Sequence, residues 1–236
     1  MAIAAVALIL AGSFFLPNAV AGVTDLRRLD SMILIDSQSI SFDFSPELSV
    51  PERLALTASP NTERLPVITG NSMQEEAAGA KAARELVRFF GGGPFELEYS
   101  ELSIDEGSAM LIVDAAVPAQ NMIIWEFNIY DPAGNTVTVA IDDETGIIVR
   151  LIYVLGGSCS IMETEKYGSQ DERFFAAANN LAEMMKSYYG VPVELADYQF
   201  SGSLSYYRAD IDSGGQIIPM YGVVRAANFT MNERLY

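Results

Sequence analysis

Hydrophobic positions recur along this chain with two periods, and the switches between them lay out the elements. After Ser72, Ala80, Ala83, Leu86, Val87 and Phe90 fall three or four residues apart, the spacing of one helix face, and Gly91 supplies a stop. After Ser169 a broader stripe runs through Phe174, Phe175, Ala178, Leu181, Ala182, Met185, Tyr188 and Tyr189, with Asn179, Asn180, Glu183 and Lys186 off it. Strand-like runs follow the first stripe at 95–102, 109–117, 123–130, 136–141 and 147–155. Others follow the second at 193–200, 204–211, 216–226 and 229–235. Val137, Val139 and Ile141 alternate with Thr136, Thr138 and Ala140, and Trp125, Phe127 and Ile129 alternate with Glu126 and Asn128, which predicts one buried and one wetter sheet face. Asp105-Glu106-Gly107, Asp131-Pro132-Ala133-Gly134-Asn135 and Asp142-Asp143-Glu144-Thr145-Gly146 punctuate the runs as hairpins do.

The two stripes open and close alike, so the chain reads as an internal repeat. Ser72/Glu75 and Ser169/Glu172 have the spacing of a capping box, in which the two side chains satisfy free N–H groups at a helix start. Phe89-Phe90-Gly91 matches Tyr188-Tyr189-Gly190, and Pro94-Phe95-Glu96-Leu97 matches Pro192-Val193-Glu194-Leu195. The expected fold class is α+β, in two repeated modules over 71–156 and 166–236, each one helix packed on an antiparallel meander. The second module lacks the counterpart of the first module's last strand. Its edge is therefore expected to be covered by the Ile40–Phe44 segment or by the other module. The 147–155 run is apolar on both faces. It is expected to be covered by its own helix on one side and by the second module or a second copy of the chain on the other.

Residues 2–16 are uncharged and apolar, and Ala19-Val20-Ala21 follows as a small-x-small step, so 1–22 read as a signal peptide or membrane anchor. Export follows in either case, with membrane contact only through that segment. Residues 23–70, with Pro46, Pro51, Pro60 and Pro66 among Ser and Thr, read as an extended linker with one short strand at 39–44.

Composition narrows the chemistry. The chain has no histidine, which removes Ser-His and Cys-His nucleophiles and His-based zinc sites, and it is read as non-enzymatic and without a cofactor or metal. Its single cysteine, Cys159, has no intramolecular partner for a disulfide and no neighbouring cation to activate it. A formal net charge of −17 repels nucleic acid and anionic lipid and suits a basic partner. The Asp142-Asp143-Glu144 cluster lacks the alternating spacing of a calcium loop and is expected to be a solvated hairpin tip; Asp210-x-Asp212-x-Gly214 reads as a plain turn. Tyrosines crowd the second module, where Tyr198, Tyr206, Tyr207 and Tyr221 are the candidate partner-binding residues. Adjacent strand residues point to opposite faces, so one of Tyr206 and Tyr207 must face outward.

Trp125–Tyr130, Asp131-Pro132-Ala133-Gly134, Val137–Ile141 and Asp142-x-x-Thr145-Gly146-Ile147 together resemble PepSY-type (PepSY/YpeB-like) modules. The resemblance covers the first module, about a third of the chain, and implies a PepSY/cystatin-like fold in a secreted or membrane-tethered bacterial envelope protein. It also implies a protein or peptide partner, with a peptidase or cell-wall hydrolase as the protein restrained, and it brings no catalytic residue. The alternative is a small-ligand binder or enzyme of cystatin-like or NTF2-like fold, with a pocket between helix and sheet.

Overall fold

A computed structural model of the chain describes residues 48–91, 101–156, 169–213, 215–225 and 227–232. The expected signal or anchor, the 39–44 strand, Cys159 and most of the 95–102 run lie outside them. The described residues form an α+β fold with one antiparallel sheet and three helices, α1 (Val50–Ala58), α2 (Glu75–Phe90) and α3 (Gln170–Tyr189). The strands are β1 (Thr62–Val67), β2 (Ser103–Ile104), β3 (Ser108–Asp114), β4 (Asn121–Tyr130), β5 (Thr136–Asp142), β6 (Ile148–Val154), β7 (Val193–Ser201), β8 (Leu204–Ser213), β9 (Gln216–Arg225) and β10 (Asn228–Met231). Their order across the sheet is β1-β3-β4-β5-β6-β10-β9-β8-β7, with β2 paired to β4 beside β3.

Two meanders, β3 to β6 and β7 to β10, thus lie in one sheet with their last strands side by side. Phe229 pairs with Tyr153 and Met231 with Leu151. The terminal edge left open by the sequence pattern is closed by the other half of the chain. This pairing also changes the domain picture, since the two expected modules share one continuous ladder.

Alternation along the ladder buries Trp125, Phe127 and Ile129 with Val137, Val139 and Ile141 on the side of α2 and α3. At the junction of the halves, Phe90 of α2 meets Tyr153 (5.3 Å between ring centroids) and Phe229 (6.2 Å). Phe89 meets Tyr188 of α3 edge-on at 5.4 Å. Burying each such ring contributes about 1.5–3 kcal/mol. The interior between helices and sheet is therefore filled where the halves join.

Of three local expectations, two change. Ser72 does not cap α2: the helix begins after Gln74, and the Ser72 main-chain N–H goes to Asp143 instead. The Ser169/Glu172 box does form, and Gly190 closes α3 at φ 68°, a left-handed conformation open to glycine at no steric cost. The buried stripe of α2 is also displaced. Ala80 and Val87 are exposed, while Ala78, Ala82, Glu85 and Phe89 are inside.

Residues 48–70 are not an extended linker. They carry α1, opened by Glu52 accepting from the Ser49 N–H and hydroxyl, and then β1. Helix α1 meets β3, β6 and β9 on the face opposite α2 and α3. It covers part of the other face of β6, where Val154 stays 40% exposed. Asn232 fixes it there, donating to Leu54 O, Thr57 Oγ1 and Val149 O.

Glu85 is buried because it has partners. It accepts from the Tyr188 hydroxyl at 2.7 Å and pairs with Lys81 at 2.8 Å, while Arg88 stacks over the Tyr188 ring at 4.9 Å. The Tyr188 hydroxyl in turn accepts from the Ile148 N–H, so this cluster ties α2, α3 and β6 together. Burial pushes the Glu85 carboxyl up. The hydrogen bonds from Lys81 and Tyr188 and the charges of Lys81 and Arg88 outweigh it and hold the carboxyl below its ordinary 4.5. With the folded value lowered, the unfolded chain takes up the proton first on acidification. The stabilisation is present at neutral pH and is lost as pH falls below about 4.5 toward the folded value. The stability advantage of the native chain over Glu85→Gln, measured by urea unfolding, is expected to shrink steadily across that window. An advantage unchanged on acidification would rule out this carboxylate as the titrating tie.

Candidate partner-binding surface

The four candidate tyrosines do not form one patch. Tyr207, paired with Gly222 across the ladder, points to the helix side and is 3% exposed, with its hydroxyl donating to Thr230 O at 2.7 Å. It belongs to the core and is removed from the candidate surface, because the pleat that turns Tyr206 outward turns Tyr207 inward. Tyr206, 41% exposed, and the half-buried Tyr221 share the opposite face. Tyr198 lies on the helix side of β7, at the margin of the sheet. Replacing Tyr207 by Phe is expected to cost about 1–2 kcal/mol, since the Thr230 carbonyl loses a buried donor, and Tyr206→Ser to stay within about 0.5 kcal/mol. Urea unfolding followed by Trp125 fluorescence checks both, and equal effects would contradict this assignment of faces.

Strand β7 is an edge. Among the described residues it pairs with β8 on one side, and Glu194, Ala196, Asp197, Gln199 and Ser201 are exposed along it. The opposite edge, β1, carries Pro66, which has no N–H to offer an added strand. Strand β7 contains no proline, so apart from an irregularity between Leu195 and Asp197 and the Tyr198 N–H, which Asp197 Oδ1 accepts, its main chain can accept another strand. Its two carboxylates oppose edge pairing with a second copy of so acidic a chain.

Above this edge runs a cleft of about 540 Å³, walled by Asp171, Glu172, Phe175, Asn179 and Asn180 of α3 and by Tyr198. The helical residues recur four apart, so one flank of α3 overhangs the strand. Tyr198 and Phe175 meet edge-on, 5.3 Å apart at 88°. The Tyr198 hydroxyl donates to Asp171 Oδ1 at 2.9 Å and Asp171 O at 3.1 Å. Burial first, then the Asp171 carboxylate, raises the phenol well above its ordinary range, so the ring stays neutral. Phe175 was expected within the core stripe, yet it is 49% exposed. Adjacent helical residues diverge by about 100°, so Phe174 and Phe175 cannot share one inward direction, and that was the available signal.

The acidic hairpin is a structural element and not a solvated tip. Asp142 and Asp143 are 0% and 2% exposed. Asp142 Oδ1 pairs with Arg53 of α1 at 2.7 Å, and its Oδ2 accepts from the Thr145 N–H and hydroxyl. Asp143 accepts from the main-chain N–H groups of Asn71, Ser72 and Met73 and from Trp125 Nε1, at 2.6–3.0 Å. Glu144 bonds Arg53 at 2.5 Å. Asp142 and Glu144 thus converge on Arg53, while Asp143 turns to the main chain at 71–73 and to the Trp125 indole. Asp212 accepts from the Gly215 N–H, as in a plain turn.

Comparison of the chain with protein-family models and curated proteins, and of its fold with solved structures, finds no match in any of the three.

Proposed function

We propose that this chain is a non-catalytic protein, exported to or anchored at the bacterial envelope, that binds an extended basic segment of a protein partner along the outer edge of β7. The observation that carries the reading is the edge itself: nine residues, no proline, exposed acidic side chains and a cleft alongside. Strand addition draws affinity from main-chain hydrogen bonds and specificity from alternate side chains, and both components are available here. The overall charge of −17 favours a basic segment and speeds its encounter. The filled junction between the helices and the sheet weighs against the alternative of a small ligand held beneath a helix.

In this reading the two halves are copies of one PepSY/cystatin-like unit, each a helix followed by a four-strand meander. The resemblance of the first copy suggests a peptidase or cell-wall hydrolase as the partner restrained. The test is capture from bacterial envelope extract on the immobilised chain, followed by amide exchange of the complex with the purified captured protein. Slowed exchange concentrated in 193–201 is the expected result. Capture no better than by an unrelated acidic protein, or protection confined to other strands, would overturn the proposal.

A further inference from the structure

A strand added to β7 has its register partly set by the pleat. The residue opposite Tyr198 points to the same face as Tyr198, toward α3, and its immediate neighbours point away. Tyr198 itself lines the cleft, so this one side chain of the added strand is directed into it. Directly opposed side chains stand about 4.5–5.5 Å apart at Cβ, close enough for a long side chain to reach the α3 flank.

What waits there selects a cation. Asp171 and Glu172 bring two carboxylates, whereas the N-terminus of α3 offers only about half a positive charge. Each carboxylate has about four acceptor sites. Asp171 uses one on the Tyr198 hydroxyl and keeps acceptor capacity. The neutral rings of Tyr198 and Phe175, set at right angles, form a corner whose faces attract positive charge. An exposed phenylalanine beside carboxylates also gives the methylene stem of a long side chain apolar surface to cover.

We infer that the α3–β7 cleft is a subsite for the guanidinium or ammonium group of an Arg or Lys side chain, carried by the added strand at the position opposite Tyr198. The inference rests on the edge-pairing proposed above and assigns one residue class of the partner. Guanidinium is the better fit, because a planar cation can lie on a ring while its N–H groups reach a carboxylate.

The test uses the full chain and blocked peptides of about nine residues alternating threonine and valine, with one central arginine. A second peptide carries citrulline, the same shape without charge, at the centre, and a third carries N-methyl groups on alternate main-chain amides. Isothermal titration is expected to show the citrulline peptide binding roughly tenfold more weakly than the arginine peptide. The gap is expected to close in Phe175→Ala and Asp171→Asn. It is expected to persist in Glu76→Gln, an equal charge change at a separate cleft that includes Ala80 and Ile104.

Equal affinity for arginine and citrulline overturns the subsite while leaving edge pairing in place. Undiminished binding of the N-methylated peptide, with the charge preference kept, overturns edge pairing and supports the cleft. No binding by any peptide at millimolar concentration overturns both. Circular dichroism of each variant separates a lost site from a lost fold.

Discussion

Replacing Asp143 by alanine is expected to destabilise the protein by about 3–5 kcal/mol, the largest effect of any single carboxylate here. Its two oxygens accept from three consecutive main-chain N–H groups at 71–73 and from the indole of Trp125. At 2% exposure water has little access to replace them. Truncation therefore strands four donors at once, the Trp125 indole fully buried and the three main-chain groups partly so, and a buried unsatisfied donor costs about 1–3 kcal/mol before the site relaxes. The segment released leads directly into α2, so the helix loses its approach as well as its contacts. Asp143→Asn keeps one carbonyl acceptor and is expected to fall between the two. At roughly 2–4 °C per kcal/mol for a domain of this size, the alanine variant should melt about 6–20 °C below the native protein. Trp125 is the chain's only tryptophan, so its emission reports the site and the unfolding transition together. A loss below about 1 kcal/mol would show that this carboxylate does not hold the loop.

The second large effect is expected at Arg53. Its guanidinium, on a residue 2% exposed, bonds Asp142, Glu144 and the Leu48 carbonyl, joining α1 to the end of β5. Arg53→Met fills similar space but leaves Asp142 charged and buried beside a thioether, at a cost of about 3–5 kcal/mol. Adding Asp142→Asn to that variant is expected to recover part of the loss, because the stranded charge is removed. The coupling between the two sites in a double-mutant cycle should exceed about 1 kcal/mol. Amide exchange gives an independent reading, since α1 should lose protection ahead of the sheet. Additive substitutions with α1 still protected would mean that α1 is held by its apolar contacts alone. Glu144→Gln provides the contrast: its side chain is 43% exposed, and an effect below about 1 kcal/mol is expected.

Both residues show where sequence patterns stop being informative. Asp142-Asp143-Glu144-Thr145-Gly146 is recognisable as a hairpin because turn chemistry is local, and Gly146 does adopt φ 73°. The directions taken by its carboxylates depend on Arg53 and on residues 71–73, which lie some 70–90 positions away in the chain. Helix α1 was hidden for a different reason. Nine residues beginning Val50-Pro51 have little helical signal of their own, and α1 persists through Asn232 and Arg53. The Ser49-x-x-Glu52 spacing and Pro51 in the first turn were the local clues. Glu85 displaced the α2 stripe because a charge is tolerated inside once Lys81 and Tyr188 reach it, and periodicity cannot foresee such partners.

The candidate surface was legible only in part. A tyrosine-rich second half and an acidic chain pointed to a basic partner, and the pleat required Tyr206 and Tyr207 to part. The cleft required α3 to lie over β7, which brings Asp171 and Phe175 beside Tyr198.

By itself the sequence determined the α+β class, the strands from 108 to 154 and from 193 to 231, the capped helix α3 and the acidic surface, because period, turn chemistry and charge are properties of neighbouring residues. The tertiary structure alone decided that both meanders share one sheet through β6 and β10, that 48–70 folds onto it, and that among the described residues β7 is left as an open edge. Those outcomes depend on which distant surfaces exclude water together and which buried charges find partners, and neither is written in local spacing.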